Sequence, residues 1–111
     1  MYARVARFEG LDPSRIDEQV AEMKRQMTSA QSGDLPEGAP QEVRTLMETV
    51  TRFVQLVDRH KGTAIGIAFS ASEDAVRRAD EALNAMSPGE SEGRRTSPAE
   101  IYEVILDEAF G

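Results

Sequence analysis

Residues 52–70 read RFVQLVDRHKGTAIGIAFS, and this stretch decides the fold. Apolar residues recur at every second position on either side of a polar turn: Val54, Leu56, Ile65, Ile67 and Phe69. A period of two is typical of strands with one buried face. The turn, residues 58–62, ends in a glycine, which suits the left-handed residue that closes such a loop. The stretch therefore predicts a β-hairpin.

The residues before the hairpin predict a first strand followed by a helix. Residues 2–9, YARVARFE, alternate like a strand, but each face would carry an arginine, so the pattern leaves the buried side open. Asp12 followed by Pro13 is typical of a helix start, with the aspartate as N-cap. Apolar residues at helical spacing then predict a buried stripe, in which the methionines serve as core filler: Ile16, Val20, Met23 and Met27.

Two segments separate this helix from the hairpin. Residues 28–40, TSAQSGDLPEGAP, contain two glycines and two prolines and predict a loop, either mobile or folded over a cleft as a lid. Residues 41–51 carry apolar side chains at helical spacing and predict a short helix. The end of this helix is poorly defined because threonine and valine also favour strands.

The residues after the hairpin predict a second long helix and a closing strand. Ser72 is the expected N-cap, residues 87–89, SPG, end the helix, and residues 90–96 predict a polar loop. Residues 97–106 are ambiguous, because SPAE is typical of a helix start whereas IYEVIL favours a strand. We expect a strand over IYEVIL, since it completes a compact βαββαβ unit.

Composition predicts one soluble domain, residues 1–111, and excludes several kinds of chemistry. The chain has no cysteine, which removes disulfides and thiolate sites, and its single histidine, His60, cannot form a multi-histidine metal site in one chain. We expect no metal and no cofactor.

The formal charge of −7 argues against binding to nucleic acid or to an anionic membrane surface. No apolar stretch resembles a signal peptide or a membrane span, so we expect a cytoplasmic protein.

Three stretches carry a resemblance to a known family: residues 2–5 (YARV), 56–75 (LVDRHKGTAIGIAFSASEDA) and 100–106 (EIYEVIL). With them the chain resembles the dimeric α/β-barrel superfamily, and within it the antibiotic-biosynthesis-monooxygenase-like domains. The resemblance implies an α+β, ferredoxin-like βαββαβ fold with a four-stranded antiparallel sheet. It also implies a homodimer in which the open sheet faces enclose a barrel with a cleft. The physics agrees, because two long helices cannot cover both faces of such a sheet.

The chain departs from the active members of that family at the positions that matter for catalysis. The oxygenases usually carry a tryptophan at the end of the third strand, where this chain has Ser70. They often carry a histidine two turns into the following helix, where this chain has Arg77, Arg78 and Ala79. Haem-degrading relatives use an asparagine on the first strand, whereas Asn84 lies in the wrong helix. The resemblance therefore supplies no catalytic residues.

Six residues are candidates for lining a ligand pocket: Arg4, Gln55, Gly66, Ala68, Ser70 and Glu103. If Ser70 faces the open side of the sheet, Gly66 and Ala68 do too, and such small residues either leave room for a cavity or permit close dimer packing. Arg4 and Glu103 become cross-strand neighbours if the first and last strands pair. They would then either orient a polar substrate or form a structural ion pair.

Further polar groups have weaker claims to a site. Strand register decides which of Gln55, Tyr2 and Tyr102 reach the cleft, since a slip of one residue reverses the faces. His60 is either a general base or, as is usual in a turn, an exposed side chain. The sequence supports three hypotheses: a small-molecule-binding domain without catalysis, a cofactor-free monooxygenase of aromatic or polyketide-like substrates, and a structural module without a ligand.

Overall fold

The computed structural model describes residues 1–31, 41–85 and 94–110. The elements, in chain order, are β1 (Tyr2–Glu9), a 3-10 turn (Pro13–Arg15), α1 (Ile16–Gln31), α2 (Gln41–Thr49), β2 (Arg52–Asp58), β3 (Thr63–Ser70), α3 (Glu73–Ala85), β4 (Arg94–Arg95) and β5 (Glu100–Glu103). The strands form one antiparallel sheet in the order β2-β3-β1-β4, with β5 also paired to β1. This α+β arrangement is compatible with a ferredoxin-like fold.

The hairpin of β2 and β3 is confirmed, and its turn is held by one carboxylate. The Asp58 side chain accepts hydrogen bonds from the backbone N–H groups of His60 (3.0 Å) and Lys61 (3.1 Å). The N–H of Lys61, together with that of His60, lowers the pKa of Asp58. Gly62 has φ +65°, and a Cβ there would lie 2.8 Å from the Leu11 carbonyl oxygen, so only glycine fits this position.

Two short strands, β4 and β5, pair with opposite ends of β1. β4 pairs with the end of β1 through Phe8↔Arg95, and β5 pairs with its start through Val5↔Glu100. The chain advances three residues along β1, from Val5 to Phe8, but five residues on the other side, from Arg95 to Glu100. The two extra residues bulge out around Pro98, which has no N–H to donate. The expected closing strand is confirmed for Glu100–Glu103.

Two boundaries of this region differ from the sequence prediction. The strand predicted over 101–106 ends at Glu103, and the last backbone contact to β1 is the hydrogen bond from Val104 N–H to the Met1 carbonyl (2.9 Å). Arg94 and Arg95, predicted as loop, form β4 because they lie opposite the end of β1. Residues 86–93, which include the predicted end of the helix and most of that loop, lie outside the described residues.

The helices lie on one face of the sheet. α3 contacts β1 through the Arg4–Asp80 ion pair, and Ile16 of α1 packs with Leu11 and Ala64 on the same face. α2 is joined to α3 by the Arg78–Glu48 ion pair (3.2 Å). Along β3, buried residues on this face alternate with half-buried residues on the other. The buried set is small: Ala64, Gly66, Ala68 and Ser70.

The first helix packs less of its apolar stripe than the spacing predicts. Of that stripe only Ile16 is buried, whereas Val20 is exposed and Met23 and Met27 are half-buried. The predicted N-cap is confirmed, because Asp12 accepts hydrogen bonds from the hydroxyl and the N–H of Ser14, and these bonds lower the pKa of Asp12. The helix continues to Gln31, so residues 28–31 of the predicted loop are helical; residues 32–40 lie outside the described residues.

The two later helices agree with the sequence pattern. α2 ends at Thr49, whose hydroxyl donates to the Thr45 carbonyl (2.7 Å) within the last turn. α3 begins after Ser72, whose hydroxyl accepts the N–H of Ala75 (3.1 Å) as the expected N-cap. No helix in the described ranges has the length and apolar character needed to cross a bilayer.

Candidate functional site

The sheet face away from the helices is the candidate site, and we call it the open face. The pairing of the strands places one set of side chains there: Ala3, Val5, Arg7, Glu9, Arg52, Val54, Leu56, Asp58, Thr63, Ile65, Ile67, Phe69, Arg94, Glu100 and Tyr102. They lie in rows across the strands. One end row reads Arg52, Phe69, Ala3 and Tyr102 from β2 to β5, and the opposite end row holds the Glu9–Arg94 ion pair (2.7 Å).

The centre of the open face is apolar. Phe69, Ile67, Ile65 and Val54 are half-buried, and Leu56 is 49% exposed. The described helices all lie on the opposite side, so none of them covers this surface. Contiguous exposed apolar surface is uncommon on soluble monomers and marks a site of association or ligand binding.

A polar cluster borders this apolar surface on the β5 side. Arg7 Nη1 lies 2.6 Å from Glu100 Oε1, and the Tyr102 hydroxyl donates to Glu100 Oε2. The Tyr102 hydrogen bond, helped by the charge of Arg7, lowers the pKa of Glu100, and the same carboxylate raises the pKa of Tyr102. The cluster thus presents a guanidinium, a carboxylate and a phenol beside an apolar surface, which is the composition of many ligand sites.

Two members of this cluster, Arg7 and Glu100, are absent from the residues that the sequence predicts for a site, whereas Tyr102 is among them. One feature of the sequence could have identified Glu100 as a site residue. It lies two residues from Tyr102, and residues at that spacing on a strand share a face. Their meeting with Arg7 also depends on the register set by the bulge, which no local pattern reveals.

The six residues predicted to line a pocket share one face, and it is the helix-covered face, so the condition that Ser70 faces the open side is not met. Gly66, Ala68 and Ser70 are buried there. A Cβ at Gly66 would lie 3.4 Å from the Phe53 ring, which shows how closely that side is packed. The physical reason is that small residues allow a helix to approach the sheet, while bulkier ones are left for the opposite face.

Arg4 is held by α3 rather than by the last strand. Its Nε donates to Asp80 Oδ1 (2.7 Å), and its Nη2 donates to Asn84 Oδ1 (2.9 Å). Asn84 Oδ1 also accepts from Arg95 Nη1 (2.7 Å), so this asparagine connects β1 with β4. Arg4 lies opposite Ile101 rather than Glu103, and its buried side chain is bound by α3 in a structural cluster.

The remaining candidates on that face differ in exposure. Ser70 is fully buried, and its hydroxyl finds no hydrogen-bond partner among the described residues. Gln55 and Glu103 lie on the outer strands and are exposed. His60 is also exposed in the hairpin turn.

Within the described ranges, no group of three or more histidine, cysteine, aspartate or glutamate residues is arranged to hold a metal ion. No protein-family model matches the chain, and searches of the curated proteins and of the solved structures found no similar protein. Any functional inference therefore depends on the geometry of the open face.

Proposed function

We propose that the chain is a homodimeric binding domain, in which the open faces of two copies pack together and hold a small, largely apolar molecule. The observation that carries this proposal is the uncovered apolar surface with the Arg7–Glu100–Tyr102 cluster at its border. Ligand sites typically combine a predominantly apolar lining with a few polar groups that fix orientation. A second copy is the simplest cover for a sheet whose helices all lie on the other side.

The sheet order supports the dimeric α/β-barrel interpretation. Counting β4 and β5 as one interrupted strand leaves β1 and β3 in the centre, flanked by β2 and by that strand, as in a ferredoxin-like βαββαβ unit. α2 is then an additional helix beside α3. In this arrangement two open faces would enclose the barrel interior.

The proposed ligand has an apolar body and at least one oxygen. The body would lie on Phe69, Ile67 and Val54, and the oxygen would accept a hydrogen bond from Arg7 or Tyr102. A guanidinium suits a carboxylate or an enolate oxygen, whereas the phenol also suits a carbonyl or a hydroxyl group. Aromatic acids, phenols and polyketide-like molecules fit this description.

The test begins with native mass spectrometry of the purified protein, followed by thermal-shift screening of aromatic acids and phenols. We expect a dimer, and a ligand whose affinity falls about tenfold on Tyr102→Phe, since a hydrogen bond to a buried ligand group is worth about 1.4 kcal/mol. Tyr2→Phe is the matched control, because Tyr2 lies on the helix-covered face. Equal losses in both variants would contradict the proposed location.

A second candidate is a dimerisation module that binds no small molecule. The bulk of Ile65, Ile67 and Phe69 favours it, because large side chains on both open faces would fill the space between them. A dimer that carries no adduct, and that no member of the screen stabilises, would favour this alternative over ligand binding.

A further inference from the structure

Residues 104–110, VILDEAF, carry large apolar side chains that nothing in the described part of the chain covers. We call these residues the trailing segment. Ile105 is 89% exposed, Leu106 is 76% exposed and Phe110 is 99% exposed. The segment leaves the sheet where Val104 N–H donates to the Met1 carbonyl (2.9 Å), at the row formed by Tyr102, Ala3, Phe69 and Arg52.

The charges of the segment have a complement on the open face. Asp107 and Glu108 form no ion pair with any described residue. On the open face, Arg7 and Arg94 are already paired with glutamates. Arg52 instead lies over the Phe69 ring, 5.8 Å from its centroid, with no carboxylate partner among the described residues. The surface around Arg52 and Phe69 therefore offers an apolar ring and a free cation to an acidic, apolar segment.

We infer that in the dimer the trailing segment of each protomer docks on the partner beside Arg52 and Phe69; this inference rests on the proposed function. A two-fold axis parallel to the strands places the β5 edge of one sheet opposite the β2 edge of the other, with the same strand ends together. The point where the segment leaves one sheet then faces the partner's copy of that end row across about 10 Å, the usual spacing of stacked sheets. Seven extended residues reach roughly 23 Å, which is ample.

The other two-fold arrangement of two facing sheets fits the charges poorly. An axis across the strands would bring the segment over the opposite end of the partner's last strand. The cation there, Arg94, is already bound to Glu9. Asp107 and Glu108 would then lie beside a neutralised pair and its glutamate. Charge complementarity thus selects the axis parallel to the strands.

The absence of cysteine in this chain makes the docking directly testable by cross-linking. One protein carries Ala109→Cys in the trailing segment, and a second, mass-tagged protein carries Val54→Cys, on the open face two residues from Arg52. After subunit exchange, a short bismaleimide should link the two proteins at least fivefold more than the matched pair in which the second cysteine is Gln55→Cys. Gln55 is the next residue of β2 and is exposed, but it lies on the helix-covered face.

Charge reversal gives a second test, because substitutions in the trailing segment would not repair a dimer that Arg52→Glu had weakened by disturbing the fold of the sheet. Arg52→Glu should weaken the dimer about tenfold, and combining it with Asp107→Lys and Glu108→Lys should restore most of the loss. A dimer in native mass spectrometry whose 54–109 cross-link does not exceed the control, or which charge reversal does not rescue, would overturn the docking and leave the proposed dimer standing. A monomer would overturn both.

Discussion

Leu56→Glu is the sharpest test of whether the open face is an interface. Leu56 lies on the open face, on the outer strand β2, and is 49% exposed, so about half of its side chain remains available for burial against a partner. Complete burial of a leucine is worth about 1.5–3 kcal/mol, so the half that remains contributes about 1 kcal/mol in each copy. Because a two-fold interface contains the residue twice, the apolar loss alone is about 2 kcal/mol, or roughly thirtyfold in the dissociation constant.

The introduced carboxylate weakens the dimer further. An unpaired charge removed from water costs at least a few kcal/mol, and two copies would be brought into one interface. We therefore expect the dissociation constant to rise by about a thousandfold or more, which leaves a monomer at micromolar concentration. The fold of the monomer should survive, because the residue already contacts water in the single chain.

The matched control is Val57→Glu. Val57 is the next residue of the same strand, is 37% exposed, and points to the helix-covered face. Sedimentation velocity over a dilution series measures association, and circular dichroism confirms the fold of each variant. We expect the Leu56 variant to be monomeric and the control to dimerise like the unmodified protein. A Leu56→Glu protein that still dimerises normally would refute the open face as the interface.

Further predictions concern the stability of the single chain. Gly62→Ala should lower the free energy of unfolding by about 1–3 kcal/mol in urea titrations, because alanine would have to adopt a left-handed backbone and its Cβ would clash with the Leu11 carbonyl. An unchanged unfolding midpoint would contradict this account of the turn. Arg4→Ala should lower the free energy of unfolding by about 1–3 kcal/mol, since it removes the bonds of a buried guanidinium to Asp80, whose side chain is 26% exposed. A loss no larger than that of an exposed ion pair would show that the Arg4–Asp80 contact is not structural. The pKa of Glu100 is lowered in the folded chain, so its contribution to stability is present above the ordinary value of 4.5 and disappears as the pH falls through the lowered value. Glu100→Gln should therefore flatten part of the acid-induced fall in melting temperature, and an identical pH profile for both proteins would argue against the Glu100 cluster.

The hairpin and the helix starts were predictable because their signals are local. A period of two identifies β2 and β3, Asp58 and Gly62 mark the turn, and Asp12 and Ser72 cap helices through bonds to residues two or three positions away. These features depend on neighbours in sequence, so a sequence alone contains what is needed to infer them.

The assignment of faces was not predictable by the same reasoning. The sequence shows that Gly66, Ala68 and Ser70 share a face with one another, but not which side of the sheet the helices occupy. That choice depends on Arg4, whose guanidinium is bound by Asp80 and Asn84 of α3 at distances of 2.7 Å and 2.9 Å. A buried arginine on a strand is unusual, and its partners are more than seventy positions away in sequence. The bulge around Pro98, which brings Glu100 near Arg7, is equally non-local.

The composition of the core explains why the large side chains lie on the open face. Among the described residues, the buried hydrophobic set is dominated by alanine, with Leu11, Ile16 and Val76 as its only larger members. Small residues on β3 allow α3 to pack close to the sheet, but they also limit how much apolar surface that side can bury. Alternation along the strand then places Ile65, Ile67 and Phe69 on the other side, half-buried in the single chain. Most of the apolar burial that remains available to this sequence therefore lies on the open face and on the trailing segment, and a partner that covers both would add stability that the helix-covered side cannot supply.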